Sequence, residues 1–252
     1  MGWIISAARH DRLDALRGLA MVWMTAYHFC FDLNHFGHIR QDFYGDPFWT
    51  WQRTAIVSLF LFTAGASQAL AVRGAQGWPR FWRRWAQVAG CALLVSLGSW
   101  WMFPRSWISF GVLHGLAAML LIARGLLAVG LLRAAVPWVL GAALVAGAPW
   151  LGEWLGTRPL HVAALFDSRW LNWIGVVTHK PITEDYVPLL PWLGVLLLGV
   201  GAGQALPPVV LAPPVGALRR KLAVLGRWSL SYYMLHQPVL IGALMAWGAV
   251  RG

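Results

Sequence analysis

Six stretches of this chain run for 18 or more residues without a charged side chain. They contain 19 residues between Arg53 and Arg73, 20 between Arg84 and Arg105, and 18 between Arg105 and Arg124. A further 19 lie between Arg133 and Glu153, 33 between Asp185 and Arg219, and 23 between Arg227 and Arg251. A helix needs roughly 20 apolar residues, within about 17 to 25, to cross the hydrocarbon core of a bilayer. The longest stretch begins as a span over 189–206 and ends in a loop with Pro207, Pro208, Pro213 and Pro214. With a first helix around 14–36, the chain reads as all-α: a polytopic membrane helical bundle of about seven transmembrane helices. It forms one integral-membrane domain, residues 1–252. Six or eight spans are the alternatives, because Arg124 either ends the fourth helix or sits near its end.

Composition agrees. Hydrophobic residues make up 59% and charged residues 12%, against about 25% charged in an ordinary soluble domain. So much apolar surface excludes both a disordered chain and a soluble α/β enzyme, and the 18 Trp suit the two membrane interfaces. The net charge of +11 does not mark a nucleic-acid binder, because no soluble basic domain carries it. With the N-terminus cytoplasmic, the inner segments hold Arg9, Arg12, Arg17, Arg73, Arg80, Arg83, Arg84, Arg124, Arg133, Arg219, Arg220, Lys221 and Arg227, with only Asp11 and Asp14 as acids. The outer side carries the other seven basic residues and seven acids, the asymmetry expected of cytoplasmic loops. Cys30 and Cys91 both fall in apolar segments, so no disulfide framework or Cys-based zinc site is indicated. No cleavable signal peptide is evident. Met1, Gly2 and Ser6 match a myristoylation pattern formally, but a polytopic protein needs no such anchor.

The first helix is where charge intrudes. Only 14 uncharged residues separate Arg17 from Asp32, too few to span. Arg17, His28 or Asp32 therefore lies at hydrocarbon depth or beside a wet cavity, where ionisable groups usually mark a pathway or a site. Eleven helical steps leave Arg17 and His28 about 20° out of register, and Asp32 follows His28 by one turn on the same face. The stripe offers a cation near the cytoplasm, an imidazole above it, and a carboxylate able to orient that imidazole. The structural alternative is a snorkelling arginine, a capping aspartate and a histidine bonded to a neighbouring helix. His114 in the fourth helix, and His236 and Gln237 before Pro238 in the last, are further polar groups within apolar runs. His35 and His38 follow the first helix, and Asp185 and Trp192 flank the entry to the sixth. His161 and His179 read as solvated loop residues. There is no phosphate-binding Gly loop, Gly-x-Ser-x-Gly, HExxH or CxxC, which removes ATP-driven transport, serine-hydrolase chemistry and the commoner metalloprotease class.

Four ordered motifs carry a resemblance. The segment Arg12-Leu13-Asp14-Ala15-Leu16-Arg17-Gly18-Leu19-Ala20, running on to Tyr27-His28 and Asp32-Leu33, resembles the opening of the transmembrane acyltransferase superfamily. It is closest to the bacterial branch related to heparan-alpha-glucosaminide N-acetyltransferase. Phe110 to His114, Asp185 to Trp192 and Ser229 to Pro238 look like later signatures of that branch. Arg17 and His28 also match an arginine and a histidine that are separated by ten intervening residues in related O-acyltransferases. Two departures stand out. The lysosomal enzyme has more helices and a lumenal domain, and its active histidine aligns with His38, or less well His35, rather than with His28.

The resemblance implies transfer of an acyl group, acetyl above all, from cytoplasmic acyl-CoA to a hydroxyl or amine of an extracytoplasmic glycan or lipid acceptor. His28, Asp32 and His38 are the candidate catalytic residues. Arg17, His114, Asp185, Trp192, His236 and Gln237 are candidates for substrate binding, and Arg80, Arg83 and Arg84 for the phosphates of acyl-CoA. Ordinary positive-inside topology also accounts for that arginine cluster. The partners are membrane lipids, acyl-CoA and the acceptor, with no nucleic acid and no metal. The alternatives are a transporter or flippase using the same groups as a relay, and a haem protein with His28, His114 and His236 as ligands. Two Lys against 18 Arg suggest a GC-rich genome and a bacterial inner membrane.

Overall fold

A computed structural model describes residues 11–183, 185–207 and 216–251. Arg9, the Met1, Gly2 and Ser6 pattern, Glu184, and Pro208, Pro213 and Pro214 lie outside the described residues. Among the described residues the chain is all-α, as its charge-free stretches predict. The helices are α1 (Asp11–His35), α2 (Pro47–Arg73), α3 (Trp78–Met102), α4 (Val112–Ala128), α5 (Val136–Gly156), α6 (Leu160–Asp167), α7 (Trp192–Ala205), α8 (Ala217–Arg227) and α9 (Ser229–Arg251). They pack as two compact units, one of residues up to Phe60 and from Leu206, the other of Leu61–Ala205. Helix α2 runs through the boundary, contributing residues to each.

In the first unit α1 is the axis. Asp11 and Asp14 in its first turn favour the positive end of the helix. At its other end Gly37 is left-handed (φ 77°), and the His38 amide donates to the Leu33 carbonyl at 2.8 Å, a Schellman closure. Helix α8 packs on α1 backbone to backbone. A β-carbon on Gly18 would overlap the Leu222 carbonyl, and one on Gly226 the Asp14 carbonyl, so only glycine permits this approach. Arg227 adds an ion pair to Asp11 at 2.7 Å. Helix α9 meets the C-terminal half of α1, where the Tyr232 and Thr25 hydroxyls lie 2.7 Å apart. Met21, Met24, Tyr27, Phe43 and Ile56 form the buried core beside them, with Phe43 stacked on Trp49.

In the second unit α7 crosses α2 at backbone contact, with Gly199 over the Phe62 carbonyl, Gly203 over Ala66, and Gly65 over Leu196. Arg73 Nη1 donates to the Gly203 carbonyl at 3.0 Å. Trp85 Nε1 joins α3 to α4 through the Ala117 carbonyl at 2.9 Å. Arg124 does not end α4: it lies within it, 6% exposed, donating Nη2 to the Gln76 carbonyl under the rings of Trp78 and Phe81.

Among the described residues three helices are long and apolar enough to cross a membrane: α2, α5, and α9 as far as Val250. The charge-free count predicts about seven, and the difference has physical causes. Helices α1 and α3 have the length, 25 residues each, but not the apolar composition. Helices α4 and α7 are apolar but only 17 and 14 residues long. Each starts late because the uncharged residues before it, 106–111 and 186–191, run as irregular chain.

Candidate active site

The polar stripe of α1 meets a polar turn of α9. His28 Nδ1 lies 2.8 Å from His236 Nε2, the two rings within 23° of parallel at a centroid separation of 5.0 Å. His236 is 7% exposed, and its Nδ1 lies 2.7 Å from the Tyr233 carbonyl. One residue on, Gln237 Nε2 donates to Asp32 Oδ1 at 2.7 Å, and its side chain also adjoins His28. Asp32 is 3% exposed, and its Oδ2 is buried without a hydrogen-bond partner, as is Gln237 Oε1. Two further groups steady the pair. The Tyr232 ring lies within 8° of parallel to His236 at 6.2 Å, and Thr25, which Tyr232 meets, donates to the Met21 carbonyl at 2.8 Å.

Of the α1 stripe, the structure brings His28 and Asp32 together with His236 and Gln237. It does not pair Asp32 with His28: the carboxylate takes the Gln237 amide, a donor from the neighbouring helix. Arg17 lies three turns before His28 on α1 and is bonded to Asp14 at 2.6 Å. His35 ends α1 and His38 follows it, both side chains exposed, with the His38 backbone occupied in closing the helix.

The remaining candidates lie in the second unit. His114 stands one turn into α4, where its Nδ1 accepts the Gly111 amide at 3.2 Å and its Nε2 meets Ser96 Oγ at 3.1 Å. Ser96 in turn donates to the Ile108 carbonyl at 2.6 Å. Asp185 Oδ2 accepts the Val112 amide at 2.8 Å, so this carboxylate caps α4 against the positive end of its dipole. Trp192 opens α7. In the loop before it, the Tyr186 hydroxyl donates to the Asn172 carbonyl at 2.6 Å, and burial, then the Asp167 carboxylate, push its phenol well above the ordinary range. Arg80, Arg83 and Arg84 line the exposed first turns of α3, with Arg84 donating to Gln87 Oε1 at 3.1 Å. His161 is exposed, and His179 is exposed beside Asp167 at 3.5 Å.

Sequence reasoning passed over Thr25, Tyr232, Ser96 and the burial of Arg124. Tyr232 carried a usable signal, standing four residues before His236 and hence on the same helix face. Arg124 carried another, a lone cation in an apolar run.

No match to the chain is found among curated proteins or among solved structures. The family model of the heparan-alpha-glucosaminide N-acetyltransferase catalytic domain matches residues 9–238. That match takes in both ends of the paired-histidine cluster, from α1 to Gln237, and all four motifs of the resemblance. The chain belongs to the heparan-alpha-glucosaminide N-acetyltransferase catalytic-domain family.

Proposed function

We propose that the chain is a membrane-embedded acyltransferase that moves an acyl group, acetyl first among them, from cytoplasmic acyl-CoA to a hydroxyl or amine of an extracytoplasmic glycan or lipid. The family match supports the chemistry, and the bonded pair of half-buried His28 and buried His236 is the observation that carries the site. In this reading seven helices (α1, α2, α3, α4, α5, α7 and α9) cross a bacterial inner membrane with the N-terminus in the cytoplasm. The arginines of α3 then face the cytoplasm, where Arg80, Arg83 and Arg84 meet the phosphates of acyl-CoA; Arg17, in the first unit, is a separate candidate for substrate binding. His28 accepts the acceptor's proton as its oxygen or nitrogen attacks the thioester carbonyl carbon. The carbon–sulfur bond breaks, and the proton held by the histidine returns to the departing thiolate. Gln237 serves acceptor binding beside His28 in this scheme, and His38 is the rival for the role of base; His114, Asp185 and Trp192, in the second unit, are proposed for substrate binding there in their own right.

Purified protein in lipid nanodiscs, given radiolabelled acetyl-CoA and a panel of glycan and lipid acceptors, tests the proposal. Label on an acceptor or on the protein, with release of free CoA, is the expected result. An absence of label beside solute flux in proteoliposomes overturns it in favour of a transporter. A Soret band in the purified protein would overturn it in favour of a haem protein.

A further inference from the structure

We infer that His236 is a positioning residue that sets the tautomer of His28 and receives the proton that His28 takes up. The inference rests on the reading of His28 as the base. It follows from counting donors and acceptors along one line of atoms. A carbonyl oxygen only accepts, so His236 Nδ1, 2.7 Å from the Tyr233 carbonyl, carries a hydrogen. In the neutral ring Nε2 is then the acceptor. His28 Nδ1, 2.8 Å from it, must therefore be the donor. That leaves the His28 lone pair on Nε2, the nitrogen turned away from the pair, and makes Nε2 the atom that takes a proton.

The same line of atoms carries the proton onward. When Nε2 of His28 gains a proton, its Nδ1 proton passes to His236 Nε2. His28 is neutral again, now with hydrogen on Nε2, and His236 is the imidazolium. Both of its N–H groups are satisfied, one by the Tyr233 carbonyl and one by His28 Nδ1. One proton enters and one moves, with no change of oxidation state, and the reverse shift returns the proton through the same two nitrogens.

Aspartate serves this task in many histidine-base sites, but Asp32 is committed to Gln237. It stands one amide removed from the rings, as a counter-charge that does not itself take the proton. The other ionisable groups around the pair are Tyr27, whose ring centroid is 5.8 Å from His28, Tyr232 and Tyr233 on α9, and His35, which acts on Asp32. Among these groups His236 alone is hydrogen-bonded to His28 Nδ1.

The test uses the full chain in nanodiscs, labelled with ¹⁵N-histidine, with His236→Gln and His236→Ala alongside the wild type. Glutamine can still accept the His28 Nδ1–H through its carbonyl but cannot take a proton; alanine does neither. The expected spectrum shows His28 protonated on Nδ1 in the wild type and in His236→Gln, and a mixture of tautomers in His236→Ala. In both variants kcat for transfer should fall, by about 10²-fold in His236→Ala. KM for acetyl-CoA should change little, and added imidazole should restore part of the rate in the alanine variant. A wild-type His28 protonated on Nε2 overturns the inference, as does a wild-type kcat in both variants. If the protein transfers no acyl group under any condition, the acyltransferase proposal fails, and the spectrum still decides the tautomer.

Discussion

His28 and His236 stand 208 residues apart in the chain and 2.8 Å apart in space, with imidazole nitrogens facing across the contact between α1 and α9. Two neutral imidazoles in such a bond cannot play equal parts: one donates and the other accepts. Which does which is set by the Tyr233 carbonyl, on the far side of His236.

If that pair is the reacting centre, replacing the histidine on α1 should be far more damaging than replacing the one beyond it. His28→Ala should lower transfer by about 10² to 10⁴, the range typical of a general base, while His38→Ala stays near wild type. The check is acetyl transfer from radiolabelled acetyl-CoA, with folding verified by a monodisperse gel-filtration peak. Loss of activity in His38→Ala together with its survival in His28→Ala would move the site to the loop after α1.

Asp32 separates charge from hydrogen bonding. In Asp32→Asn the side-chain oxygen still receives the Gln237 amide, so thermal stability should hold while kcat falls through loss of the counter-charge. Asp32→Ala leaves that amide unpaired as well, and should cost a further 1–3 kcal/mol, roughly, in stability. Melting curves and kcat for the two variants, measured side by side, decide whether the carboxylate is electrostatic or only structural.

The packing of α8 on α1 predicts a sharp contrast between glycines. Gly18→Val drives a side chain into the Leu222 carbonyl, and the variant should lose most of its folded yield. Gly242→Ala, on α9, has nothing within 4 Å and should be neutral, or more stable by up to about 1 kcal/mol from helix propensity. Fluorescence-detected gel filtration across a temperature series distinguishes the two.

Arg124 pins the turn between α2 and α3 by donating to the Gln76 carbonyl. Arg124→Gln should free that carbonyl and strip the cation from Trp78 and Phe81, at a cost of about 1–3 kcal/mol. Limited proteolysis should then cut within residues 74–77 faster than in the wild type. An unchanged cutting rate would mean that the turn is held by its own backbone bonds.

The loop before α7 supplies a pH-dependent element. Burial, reinforced by the Asp167 carboxylate, raises the Tyr186 phenol above its unfolded value of about 10. A raised value means that the folded state holds the proton after the unfolded chain has released it. The stabilisation is thus complete below about pH 10 and is lost as pH rises above it. Tyr186→Phe should flatten the fall in stability over that alkaline window, as followed by chemical denaturation at a series of pH values.

Much of this molecule is legible in one dimension. The helices stand where charge stops, because an uncharged run of that length has few other ways to satisfy its backbone. The Arg17, His28 and Asp32 stripe is equally readable, since its register depends only on the pitch of a single helix. The number of membrane-crossing helices is not legible in the same way: charge alone predicts about seven, whereas three of the described helices are both long and apolar enough, since 106–111 and 186–191 are irregular chain.

What the sequence by itself determined, then, is which residues share a face; what only the tertiary structure decided is whom they meet. Spacing offers Asp32 to His28, yet α9 brings an amide to the carboxylate and a second imidazole to the first, and both pairings hold. Asp185, 73 residues from Val112, ends as the cap of α4 because the first amides of a helix need an acceptor from outside it. Helical periodicity is a property of one segment and can be read along it. The group that satisfies a buried donor or acceptor arrives from whichever helix packs there, and that choice is made only when the chain folds.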